Sequence, residues 1–294
     1  RQAPVEGLRL DPPKLPDLSP YTAAAAKAKV GKRAKGRVTV RRMVEVQMLE
    51  EFVGGNNRLR EWASRQKQNP LAIIIEGGMV TPADIAAALP AQQFEQTAPG
   101  VFIARLPVAV AQNASLLIDS TTKELRLSEE SGAFLVNDGE LFLFDTRLLA
   151  WRERENGPAR FVEDRRFRPF LVSWGGATLY VVDSHIESLG YETSKSYGLS
   201  VSQYSPNLQA RIKRPPPKAW ILGSTFVDML YGFYCYEAED LPIIGNTYRD
   251  NIIYGIDPHD RSHRLIIANN LVHGTKKKHG IIVSREVNDS WIFG

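Results

Sequence analysis

The chain has one cysteine, Cys235, among its 294 residues. An internal disulfide is therefore impossible, and a fold stapled by bridges is excluded. No apolar run approaches the roughly 18 residues that a membrane-crossing helix requires, which leaves no candidate for membrane insertion. Histidines number five, and His185, His273 and His279 do not join His259 and His263 in the ligand spacing of one tetrahedral metal site. The glycine- and aspartate-rich nonapeptide that binds calcium in some β-solenoids is also missing. Acidic residues are absent from residues 27–42, KAKVGKRAKGRVTVRR, which hold eight Lys and Arg within a chain of net charge +4. Such a run reads as a solvated arm able to attract a polyanion. No nucleic-acid module accompanies it, so nucleic acid is not the expected partner.

Hydrophobic residues make up 43% of the chain and charged residues 24%, enough for a large core in one or two domains. Three sections are legible. Residues 1–42 are a basic, Pro-, Ala- and Lys-rich arm. Residues 43–112 mix helix and strand: a short amphipathic helix over Asn56–Gln68, a buried strand in Ala72-Ile73-Ile74-Ile75-Glu76-Gly77-Gly78, and a helix N-capped by Thr81 with Pro82 in its first turn. Residues 113–294 are strands. Short apolar runs recur there (SLLID, AFLVND, LFLFD, LYVVDS, WILGST, PIIGNT, RLIIANN) and each gives way to Asn, Ser, Thr, Asp or Gly.

These strands repeat. Ile221-Leu222-Gly223-Ser224-Thr225 aligns with Ile243-Ile244-Gly245-Asn246-Thr247 and then with Ile266-Ile267-Ala268-Asn269-Asn270, at offsets of 22 and 23. A second phase recurs as Tyr231-Gly232, Tyr254-Gly255 and His279-Gly280, at offsets of 23 and 25. Tyr197-Gly198 is an earlier copy, with Ser200 to Pro217 pushed out of the coil. Such periods mark a solenoid. Short strands with polar corners and no intervening helix favour a parallel β-helix over leucine-rich repeats, whose Leu framework is absent. The front section is expected to cap the first coil. The final WIFG starts a strand phase, so the natural protein is expected to continue beyond Gly294.

One strand is interrupted oddly, at Tyr254-Gly255-Ile256-Asp257-Pro258-His259-Asp260. A solvated turn is the plain explanation. The alternative is a general base: Pro258 holds Asp257 extended, Asp257 or Asp260 can accept a proton from one imidazole nitrogen, and the other nitrogen is left basic. The next coil brings Lys276-Lys277-Lys278 and Arg285 near this element, a local basicity suited to a carboxylate-bearing polymer. Strict alternation from Gly255 and Gly280 puts Ser284, not Arg285, beside His259. Cys235 reads as a buried structural thiol.

The stretches YGFYCYEAED, NTYRDNIIYGIDPHDRSHRLIIANN and GTKKKHGIIVSREVNDS, with AIIIEGG, GVFIARLP and TKELRLS in the front section, closely resemble the periplasmic poly(β-D-mannuronate) C5-epimerases of alginate-producing bacteria. The resemblance implies a right-handed parallel β-helix and periplasmic conversion of mannuronate to guluronate within the polymer. It implies His259 as base, Arg285 as the cation neutralising the substrate carboxylate, Tyr254 or water as acid, and Asp257 as orienting group. Asp260, Lys277, Lys278 and Tyr231 are expected to bind substrate. No cofactor is implied, because the reaction has no net oxidation. The implied partners are the anionic polysaccharide and other alginate export proteins. The competing readings are a lyase, in which the same carbanion expels the O4 substituent, and a scaffold that binds polyuronate without chemistry.

Overall fold

A computed structural model describes residues 13–53 and 58–294. Its strands stack into three long sheets of nine, eight and nine strands. Each turn of chain adds one strand to each sheet, so the architecture is a right-handed parallel β-helix. The first sheet carries, in order, Arg37–Arg42, Leu71–Glu76, Val108–Val110, Leu135–Asn137, Leu171–Trp174, Gly198–Ser202, Tyr231–Tyr236, Tyr254–His259 and His279–Ile281. Inside the coils lies a continuous aliphatic core that includes Ile73, Leu116, Leu143, Val181, Ile221, Ile243 and Ile256.

The polar residues after each apolar run have a specific task. Asp145, Asp183, Gly223, Gly245 and Asn269 occupy successive copies of one corner, and all have φ between 49° and 68°. Glycine adopts that left-handed conformation freely, and Asn and Asp tolerate it best among the rest. Beside them runs an inward polar ladder. Ser184 N–H donates to Ser224 Oγ, Ser224 N–H to Asn246 Oδ1, and Asn246 N–H to Asn270 Oδ1, at 2.9–3.1 Å. Three N–H groups of the corner are thereby paired within the chain.

One register differs from the sequence alignment. Tyr231, Tyr254 and His279 pair as expected. In the second sheet, however, Ile243 pairs with Ile267, not Ile266. The coil is one residue longer than the apolar match suggested because Asp260 and Arg261 turn a corner in the left-handed region (φ 33° and 54°). Shifting by one keeps Ile267 in the core, as the two-residue period of a strand demands.

The front section caps the first coil. Arg37–Arg42 pairs antiparallel with Leu71–Glu76, Phe94–Ala98 pairs antiparallel with Val101–Ala104, and Ile85 of the Pro82–Ala88 helix enters the core. Thr81 and Asp84 form a reciprocal capping box at that helix. The expected helix at Asn56–Gln68 is seen as Arg58–Gln66, with residues 56 and 57 outside the described residues. It and the Glu50–Val53 helix cover the outer side of the first sheet through Phe52, Trp62, Phe134, Phe170 and Trp174. Each such ring removes enough apolar surface to contribute roughly 1.5–3 kcal/mol.

Two boundaries differ from expectation. Parallel stacking begins at Leu71–Glu76, well before residue 113. The described part of the basic arm is bound to the body: Lys27 pairs with Asp145, Arg33 with Glu140, and Arg37 and Arg41 with Glu76. Acids displayed by several coils neutralise the run, which the local sequence, lacking acids, could not reveal.

Candidate active site

The Tyr254–His259 strand sends Ile256 into the core, and Asp257 and His259 to the outer face. Gly255 permits the tight stacking here, since a Cβ would sit 2.5 Å from Gly280 O. The preceding coil places Tyr234 beside Asp257 and Tyr236 beside His259. The coil before that contributes Ser200 and Ser202 in the same two rows. The His259 side chain is 22% exposed.

The ring of His259 is held by Asp260. Nδ1–H donates to Asp260 Oδ2 at 2.6 Å, which fixes the tautomer and leaves the Nε2 lone pair available. Of the two acids that sequence offered for this task, Asp260 performs it. Asp257 does not contact the ring. It is 2% exposed, and its Oδ1 finds no partner among the described residues. Burial, with Asp260 nearby, pushes its carboxyl up to about 7.

Arg285 reaches the site through Asp260. The pairing of Ile256 with Ile281 continues through Ser284 N–H to Pro258 O, so Ser284 does stand beside His259. Arg285 stands beside Asp260, its carbonyl accepting from Arg261 N–H at 2.9 Å. Both strands leave regular geometry there: Arg285 has φ 56°. Strand alternation no longer governs, and the guanidinium projects outward, 73% exposed, with Nη1 3.7 Å from Asp260 Oδ1. One carboxylate therefore joins the imidazole to the cation.

An aromatic wall borders the face. Tyr197 stacks on Tyr231 with ring centroids 4.6 Å apart, Tyr231 meets Tyr254 edge-on at 4.9 Å, and His279 stacks on Tyr254 at 6.0 Å. Phe161 packs against the same cluster. Lys278 lies over the Tyr254 ring. Burial raises the phenols of Tyr231 and Tyr234, so both remain protonated hydrogen-bond donors at neutral pH.

The structure thus gathers His259, Asp257, Asp260, Arg285, Tyr254, Tyr231 and Lys278. Lys277 turns away, its ammonium 2.6 Å from Asp164 Oδ1; together with Lys276 and Asp228 it ties the segment around residues 161–164 to this coil. That segment is anchored by a buried pair, Arg168 with Asp228 at 3.0 Å, whose acid also accepts from Phe161 N–H and Ser188 Oγ. Cys235 points into the core, its thiol pushed up to about 12 by burial. Tyr234, Tyr236 and Lys195 were missed by sequence reasoning. The 23-residue offset that maps Tyr231 onto Tyr254 also maps Tyr234 and Tyr236 onto Asp257 and His259. Lys195 had no such signal, since it lies in an irregular turn. Among the described residues, no group of three or more His, Cys, Asp or Glu converges as metal ligands would.

Fold and site together define a class: a β-solenoid with an oriented histidine, a carboxylate-bridged arginine and an aromatic wall on one open face, the layout of a carbohydrate-active β-helix. No family model matches the chain. It is 62% identical over 291 residues to the mannuronan C5-epimerase of Pseudomonas aeruginosa, covering 99% of this chain and 54% of that protein. It is 57% identical over 290 residues to the mannuronan C5-epimerase AlgG of Azotobacter vinelandii, covering 99% and 55%. The crystal structure of the periplasmic alginate epimerase AlgG superposes with a TM-score of 0.92 at 50% identity, over 96% of this chain and 66% of that one. A single-substitution variant of that enzyme gives a TM-score of 0.93 at 49% identity, over 97% and 68%. The chain belongs to the alginate C5-epimerase family. It spans about half the length of the curated relatives it matches.

Proposed function

We propose that this chain carries the catalytic centre of a periplasmic mannuronan C5-epimerase, converting D-mannuronate to L-guluronate within polymannuronate. The reading is carried by one observation: His259 faces outward with its tautomer set by Asp260, and Asp260 also meets Arg285. Nε2 of His259 removes the C5 proton of a bound mannuronate. That carbon is acidic only because its carboxylate can accept the electron pair, so charge builds on the carboxylate oxygens in the transition state. Arg285 supplies a preorganised cation for it, worth most where water is displaced. Tyr254, or a water beside it, returns a proton to C5 from the opposite face. No atom is gained or lost, and no electron acceptor is required. Tyr231, Lys278 and the aromatic wall seat the sugar rings; Asp257 and Asp260 line the strip. The proposed partners are the anionic polysaccharide and, as a further class, proteins of alginate export.

The test is proton NMR of polymannuronate incubated with the wild type and with His259→Gln. Guluronate signals are expected for the wild type, and a drop of about 10²–10⁴-fold for the variant with an unchanged melting temperature. Unsaturated-sugar absorbance without guluronate would establish a lyase. A folded His259→Gln protein retaining most of its turnover would remove the base from its assigned role.

A further inference from the structure

Lys195 is an anomaly beside this site. It is 6% exposed and sits in a turn with φ 66°, a left-handed backbone that costs a non-glycine residue roughly 1–2 kcal/mol. Its Nζ lies 3.3 Å from the centre of the Tyr236 ring, and Tyr236 is the neighbour of His259 in the preceding coil. Among the described residues, no acid forms an ion pair with it. Glu51 from the N-terminal helix, and Glu237 and Asp260 from the corners, act on it only through space, while Arg261 pairs with Glu237 across the same tyrosine. A buried ammonium whose only described contact is an aromatic face lowers the stability of its fold, and an apolar side chain of similar length would fill the space better. What such a cation lacks is an anion.

Two cations therefore straddle His259. Arg285 stands one coil after it, and Lys195 lies over the residue one coil before it. Coils are spaced roughly 4.8 Å apart, comparable with the advance per sugar of an extended (1→4)-linked pyranose chain. We propose that Lys195 is a substrate-specificity residue that binds the carboxylate of the uronate adjacent to the one being epimerised, so that the site selects a polyuronate over a single sugar acid. The inference rests on the epimerase reading above. Tyr236 supplies the surface against which the ammonium is held, and substrate completes the ion pair.

Burial brings the ammonium down to about 8. Uronate carboxylates stay ionised well above their own pKa, so a loss of affinity between pH 7 and 9 reports the protein cation. The experiment measures KM and kcat on polymannuronate at pH 7 and pH 9 for the wild type, Lys195→Met and Lys195→Arg, with melting temperatures alongside. The wild type is expected to show a KM that rises several-fold from pH 7 to 9. Lys195→Met should have a KM about tenfold higher at pH 7, a kcat within twofold, and no rise with pH. Lys195→Arg, which keeps the charge and does not titrate in this range, should hold a low KM at both pH values. A purely structural lysine would change melting temperature without this pattern. An unmoved KM in Lys195→Met overturns the inference, as does a wild-type KM that is flat from pH 7 to 9, a criterion that stands even where the Met variant fails to fold. If the wild type makes guluronate and these shifts are absent, the inference alone fails. If it makes none, the functional reading fails first and takes the inference with it.

Discussion

The buried carboxyl of Asp257 makes a quantitative prediction. An ordinary aspartate titrates at 3.8, and this one is pushed up to about 7 by burial and by Asp260. At 1.36 kcal/mol per pH unit, that rise corresponds to on the order of 4 kcal/mol of folding stability lost when the group is ionised. The direction follows from proton counts. Between pH 3.8 and about 7 the folded chain keeps a proton that the unfolded chain has released, so stability falls as pH climbs through that window and levels off above it. Asp257→Asn removes the titration while nearly preserving shape. Urea unfolding of both proteins at pH 5, 6, 7 and 8 should show the variant progressively more stable than the wild type, by up to about 4 kcal/mol at pH 8, with unchanged m-values. The difference should shrink toward acid. A difference that does not grow with pH, or an Asn variant less stable at pH 8, would refute the argument that an ionised, unpartnered oxygen resides there.

Other outcomes follow from the geometry. Arg285→Lys should cut turnover sharply, because a point charge cannot span the substrate carboxylate and Asp260 as a guanidinium does; unchanged turnover would transfer the role to Lys278 or Ser284. Arg168→Met leaves Asp228 buried without its buried countercharge and with only the half-exposed Lys276 at 3.5 Å, and should cost about 3–5 kcal/mol in chemical denaturation. Limited proteolysis of the same variant should cut near residues 161–164 sooner than in the wild type, because that wall is anchored through Asp228.

Much of the coil geometry was legible because solenoid positions are tested once per turn. Tyr231, Tyr254 and His279 align by identity or aromatic character, and they pair in the structure. Ile266 and Ile267 are both isoleucine, so the apolar match could not tell 23 from 24; only the corner at Asp260 decides it. The basic arm was misjudged for a different reason. Its acidic partners, Glu76 on one turn of the chain and Glu140 and Asp145 on a later one, lie far from it in sequence, and no local window contains them. The choice between Asp257 and Asp260 as the partner of His259 was likewise a matter of direction. Two residues flanking the same histidine differ by one side of a strand and one left-handed φ.

The positions of His259 and Arg285 on successive turns have a mechanical consequence. On the proposed assignment neither turn alone contains the centre; the two residues are brought together only where the turns are zipped by Ser284 N–H to Pro258 O and Arg261 N–H to Arg285 O. Prying that seam open by a few ångströms would separate His259 from Arg285 while the remaining turns stayed wound. Heating should therefore abolish the proposed epimerisation at a lower temperature than it erases the β-sheet signal, and the gap between the two would gauge the strength of that one seam.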